Sequence, residues 1–109
     1  MTFNEKLAGR VRASLGQFDK TSEKKMFGGN AFLVGGNISV GVHGDELIVR
    51  IDPKETERAL KQPGVRIFDL SGRPMKGWLL VEESALMDKK SRSKWVDRGV
   101  AYAMTLPAK

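Results

Sequence analysis

Phe32-Leu33-Val34-Gly35-Gly36-Asn37-Ile38-Ser39-Val40-Gly41-Val42-His43-Gly44-Asp45-Glu46-Leu47-Ile48-Val49-Arg50-Ile51 reads as strands joined by tight turns. Ile38, Val40 and Val42 alternate with Ser39 and Gly41, and Leu47, Val49 and Ile51 alternate with Ile48 and Arg50. A period of two sends successive side chains to opposite faces of a sheet, as half-buried strands require. Gly35-Gly36-Asn37 and His43-Gly44-Asp45 separate the runs, and these residue types accept the positive φ of short hairpins. Met26 to Val34 precedes them, apolar but interrupted by Gly28 and Gly29. The whole stretch predicts an antiparallel three-strand meander.

Upstream, Phe3, Leu7, Val11 and Leu15 recur every four residues, which predicts a helix with one apolar face. Thr2 and Glu5 have capping-box spacing and Gly16 supplies a stop. Gln17 to Lys25 is polar, carries Lys20, Lys24 and Lys25, and reads as a connecting loop. Downstream, Asp52-Pro53 opens a short helix with Asp52 as cap and Glu55 reaching back; it closes near Lys61 before Pro63-Gly64. Val65 to Asp69 reads as a fourth strand, Leu70 to Pro74 as a loop and Met75 to Glu82 as a fifth strand. A last helix is expected from about Asp88 to Leu106, with Trp95, Gly99, Tyr102 and Leu106 at helical spacing and Pro107 ending it.

The resulting order is α-β-β-β-α-β-β-α, an α+β fold with one antiparallel sheet covered on one face by the terminal helices. The first and fifth strands are apolar on both sides, so the second face needs a cover as well: the second helix or another subunit.

With 109 residues, 40% of them hydrophobic and 29% charged, the chain is expected to form one globular domain over 1–109. It contains no cysteine and one histidine, His43, which excludes disulfides, thiolate chemistry and a multi-histidine metal site within one chain. Residues 1–15 are charged and periodic, unlike a signal peptide, and no run has the apolar length that crosses a bilayer. A cytoplasmic location without membrane contact is the expectation. The formal net charge of +6 favours phosphate polyanions or acidic protein surfaces as partners.

No catalytic constellation emerges, and neither enzyme activity nor a cofactor is expected. Ser91-x-x-Lys94 and Ser22-x-x-Lys25 fit the Ser-x-x-Lys pattern of penicillin-binding enzymes but lack its companion motifs. A Ser-His-Asp triad would need His43, which falls in a hairpin turn with no nucleophile elbow in the chain. Gly28-Gly29-Asn30 and Gly35-Gly36 have neither P-loop nor dinucleotide-fold spacing. The basic residues are the remaining signal. Lys89, Lys90, Arg92, Lys94 and Arg98 crowd the start of the last helix, and Lys90, Lys94 and Arg98 share a face at spacing four. Arg73 and Lys76, in Arg73-Pro74-Met75-Lys76, extend this candidate contact for nucleic acid or an acidic partner. The structural alternative gives Gly72 and Pro74 a turn, Lys76 the shielding of an edge strand, and Trp78 a place in the core.

Three stretches together resemble the TfoX amino-terminal domain family: Met26-Phe27-Gly28-Gly29-Asn30-Ala31-Phe32, the hairpin through Gly41-Val42 to Leu47-Ile48-Val49-Arg50, and Pro63-Gly64-Val65-Arg66 through Phe68-Asp69-Leu70-Ser71-Gly72-Arg73-Pro74-Met75-Lys76-Gly77-Trp78. Trp95, Ala101-Tyr102 and Leu106-Pro107 extend the likeness across the chain. The resemblance implies a fold similar to that of type III secretion chaperones and no cofactor or catalytic residues. It also implies a regulatory role of the competence type, exercised with transcription machinery; the best-known members carry a second, carboxy-terminal domain. A homodimer acting through protein contacts is the expectation, with nucleic-acid binding through the basic helix face as the alternative.

Overall fold

The structure, a computed structural model, describes residues 5–16, 21–26, 29–70 and 73–107; for Met26, Leu70, Arg73 and Pro74 it describes the backbone only. Helix α1 (Glu5–Leu15) leads into strands β1 (Thr21–Met26), β2 (Gly29–Val34), β3 (Asn37–His43) and β4 (Glu46–Arg50). A 3₁₀ turn (Pro53–Glu55) and helix α2 (Thr56–Leu60) follow, then β5 (Val65–Leu70) and β6 (Arg73–Val81). A second 3₁₀ turn (Glu83–Leu86) precedes helix α3 (Lys89–Met104).

All six strands join one antiparallel sheet in the order β1-β2-β3-β4-β6-β5. The two short turns fall at Gly35-Gly36 and Gly44-Asp45, where the sequence places them. His43 closes β3 opposite Glu46 as a turn-flanking residue.

Alternation then sorts the side chains. Phe32 and Val34 of β2, Val40 and Val42 of β3, Leu47 and Val49 of β4, and Leu79 and Val81 of β6 point to one face. They meet Leu7, Val11 and Leu15 of α1, Ala59 of α2, and Trp95, Val96, Val100 and Ala103 of α3 in a single core. Burying such side chains stabilises the fold by about 1.5–3 kcal/mol each, set against ordering entropy. The fully buried Ser39 hydroxyl satisfies itself by donating to the Phe32 carbonyl (3.0 Å), where the β2–β3 register shifts. Asn37 donates to the Pro107 carbonyl (2.9 Å), tying the segment after α3 to the first hairpin.

The α+β class, the antiparallel sheet and the helix–strand order follow the sequence reading, with four differences. Thr21 to Lys25 lies in the segment read as a loop, yet with Met26 it forms edge strand β1. It shows no apolar alternation because its described side chains, 21–25, are all exposed. β6 starts at Arg73 rather than Met75 and lies between β4 and β5, so Lys76 shields no edge. The second face is not covered by α2, whose Ala59 and Leu60 pack into the same core as α1 and α3. Glu55 does not reach back; its carboxylate accepts from Arg98 (3.3 Å), while Asp52 alone caps by accepting from the Lys54 N–H (2.9 Å). The helix-1 readings at Thr2 and Phe3 and the turn residue Gly72 lie outside the described residues.

Candidate interaction surfaces

Helix α3 begins at a built cap. The Asp88 carboxylate accepts from the Ser91 N–H (3.1 Å) and from the Ser91 hydroxyl (2.8 Å), which gives Ser91 a structural task. These bonds, the hydroxyl's first, hold the Asp88 carboxyl below its usual range. A folded pKa lowered in this way stabilises the fold in full above the unfolded value of about 3.9, and the contribution is lost as pH falls through the folded value. Asp88→Ala is therefore expected to lower the urea midpoint at neutral pH. The gap to wild type should close near pH 2, where both chains lack the charged cap.

From this cap the helix places Lys90, Lys94 and Arg98 along one shallow depression, together with Ser93, Asp97 and Ala101. The three basic residues singled out by spacing are thus brought together, but they differ in freedom. Arg98 is three-quarters shielded, ion-paired with Glu55 and stacked 5.0 Å from the Trp95 ring. Arg92 donates to the carbonyls of Leu86 and Met87 (3.0 Å each) and so fastens the helix to the preceding 3₁₀ turn. Lys89, Lys90 and Lys94 are exposed. Lys76, also exposed, stands on β6, and Arg73 begins that strand with its side chain outside the described set. Neither is on the elements against which α3 chiefly packs, which are β3, β4, β2, α1 and the second 3₁₀ turn.

The second face of the sheet is different in kind. Ile48 of β4, Phe68 of β5 and Leu80 of β6 form a separate apolar cluster, with Met75 and Trp78 half-buried against it. No helix contributes to this cluster among the described residues. Trp78 thus leaves the main core, contrary to its expected place. The Arg50 guanidinium lies 5.0 Å from the Trp78 ring centroid and 5.6 Å from that of Tyr102, a cation held between two rings. The sequence treated Arg50 as one member of an alternating strand; its pairing with Trp78 across β4 and β6 brings the cation to the ring.

Gly77 lies in the Gly72-Arg73-Pro74-Met75-Lys76-Gly77-Trp78 run and has a φ of 87°. Its N–H donates to the buried Thr56 hydroxyl (2.8 Å), and its carbonyl accepts from the Ile51 N–H (2.8 Å). Part of that run therefore docks α2 on the sheet. The family model described as TfoX N-terminal domain matches residues 13–103, from within α1 to the last turn of α3. The chain belongs to the TfoX N-terminal domain family. Comparison with curated proteins and with solved structures found no significant match. In this TfoX N-terminal domain no three His, Asp or Glu side chains gather to hold a metal, among the described residues. Nor is any helix among them long and apolar enough to cross a membrane.

One network escaped the sequence reading. Arg12 of α1 makes a two-pronged bond to the Glu23 carboxylate of β1 (2.5 and 2.7 Å), and Asn30 of β2 donates to the same carboxylate (2.9 Å). The Arg12 bond, more than the Asn30 one, holds the Glu23 carboxyl below its usual range. The only sequence signal for it was Glu23, the one acid of Thr21–Met26.

Proposed function

We propose that this TfoX N-terminal domain is a non-enzymatic interaction module of the cytoplasm that regulates transcription, in the manner of a competence regulator, through contacts with transcription-machinery protein and as a homodimer. The observation that carries this reading is the second face of the sheet. One face holds three helices, whereas the other gathers Ile48, Phe68 and Leu80 under half-buried Met75 and Trp78 with no helix above them among the described residues. Protein-binding surfaces favour aromatic residues, methionine and arginine, the types assembled here as Trp78, Met75 and Arg50. Family membership supports the regulatory part.

Lys90 and Lys94 favour the second reading, direct nucleic-acid contact. Against it, Arg98 and Arg92 are occupied within the fold, and Asp97 sits in the same depression. Anisotropy of a labelled mixed-sequence DNA duplex across a salt series separates the two. The protein-contact reading expects no tight, salt-sensitive binding. Affinity falling steeply with salt would count phosphate contacts and overturn it in favour of the basic face.

A further inference from the structure

We propose that the outer edge of β1 is a docking site for an extended acidic peptide segment, which adds there as a seventh strand. The proposal deepens the reading as a protein-interaction module by naming a surface and the chemistry of its partner; it does not depend on the homodimer. β1 is the terminal strand of the sheet and pairs with β2 over six successive residue pairs without a bulge. Such an edge presents backbone N–H and C=O groups on its outer side, ready for another strand. The opposite edge is less suited. β5 has a register shift between Ile67 and Asp69, and α2 packs beside it.

Charge selects the partner. The one acid of β1, Glu23, has both carboxylate oxygens engaged by Arg12 and Asn30, so it is neutralised within the fold. Lys24 and Lys25 stand exposed beside it with no neighbouring acid on the strand. Among the described residues the strand therefore offers two exposed cations and no unengaged anion to an incoming chain, which favours a carboxylate-bearing partner. Beside the strand, the end of α1 leaves a cleft of about 210 Å³. The Arg12–Glu23 ion pair lines it together with Leu15, Thr21, Ser22 and Phe32. Buried Leu15 and Phe32 give it an apolar floor, suited to one aliphatic side chain of a strand that alternates acidic and apolar residues.

The test is a titration of the full chain with a capped decapeptide alternating glutamate and valine, followed by amide NMR shifts and hydrogen exchange. A lysine–valine decapeptide is the control. The expected result is shifts and slowed exchange confined to residues 21–26 and their β2 partners with the acidic peptide alone. Lys24→Glu/Lys25→Glu, a change of two exposed side chains, is expected to weaken that peptide by about tenfold and to admit the lysine peptide. No response at about 1 mM acidic peptide overturns the proposal, as does a response that maps to Lys90 and Lys94 on α3. Protection of 21–26 that grows with protein concentration in the absence of peptide overturns it in favour of a second copy on this edge. Dimer mass is measured without peptide, so failure here and failure of the homodimer are distinguishable.

Discussion

Gly99→Ala is expected to destabilise the fold by about 2–3 kcal/mol, the opposite of what alanine does in a free helix. α3 crosses β3 at this residue. A Cβ built there would stand 2.4 Å from the Ser39 carbonyl oxygen and 2.6 Å from Val40 Cγ1. The nearer obstacle is backbone, held where the β2–β3 register shifts, so it cannot swing aside as a side-chain tip would. α3 must therefore lift from the sheet, weakening the contacts of fully buried Val96 and Val100. The roughly 1 kcal/mol that alanine gains over glycine in a helix offsets only part of this. The melting temperature should fall by about 10 °C. Gly9→Ala in α1 is the control, because its Cβ would meet nothing within 4 Å; a stabilisation of up to about 1 kcal/mol is expected there. Equal responses at the two positions would contradict the close approach of α3 to β3.

Gly77→Ala is the second large effect, expected at about 2–4 kcal/mol. With a φ of 87°, any side chain at this position costs about 1–2 kcal/mol through the left-handed backbone alone. The added Cβ would also lie 2.9 Å from the Ile51 oxygen and 3.1 Å from Pro53 Cγ. Relief by moving the strand would break the Gly77 bonds to Thr56 and Ile51 and so release α2. Urea denaturation measures the loss. Thr56→Val separates its parts, since it leaves the Gly77 backbone conformation alone and removes only the acceptor of a buried N–H, at about 1–3 kcal/mol.

Much of the fold was legible because its signals are local. The Ile38/Val40/Val42 and Leu47/Val49/Ile51 alternations, with Gly35-Gly36 and Gly44-Asp45 between them, specify hairpins whose partners are adjacent in sequence. Leu7, Val11 and Leu15 mark a helix in the same local way. β1 was not legible, because an edge strand with exposed side chains needs no apolar period, and its sequence, Thr-Ser-Glu-Lys-Lys-Met, resembles a solvated loop. The interior position of β6 was hidden for another reason. Whether β4 pairs with β5 or β6 is decided by long-range packing, and that choice removed the edge-shielding reading of Lys76.

Spacing alone aligned Lys90, Lys94 and Arg98, and the structure places all three along one depression. Spacing was blind to Glu55, which is 43 residues away from Arg98 in the chain and pairs with it. The cationic pairing of Arg50 with Trp78 and Tyr102 was hidden likewise, since its three members come from β4, β6 and α3. A basic residue read from sequence thus carries its charge reliably, whereas its availability depends on contacts that only the fold supplies.

Light scattering of the purified chain from about 1 to 100 μM, wild type beside Met75→Glu, tests the homodimer built on the second sheet face most directly. Wild type is expected to approach twice the 12.1 kDa chain mass, and Met75→Glu to remain at the single-chain mass with its melting temperature within about 4 °C of wild type. A wild-type mass of one chain at every concentration would contradict the homodimer.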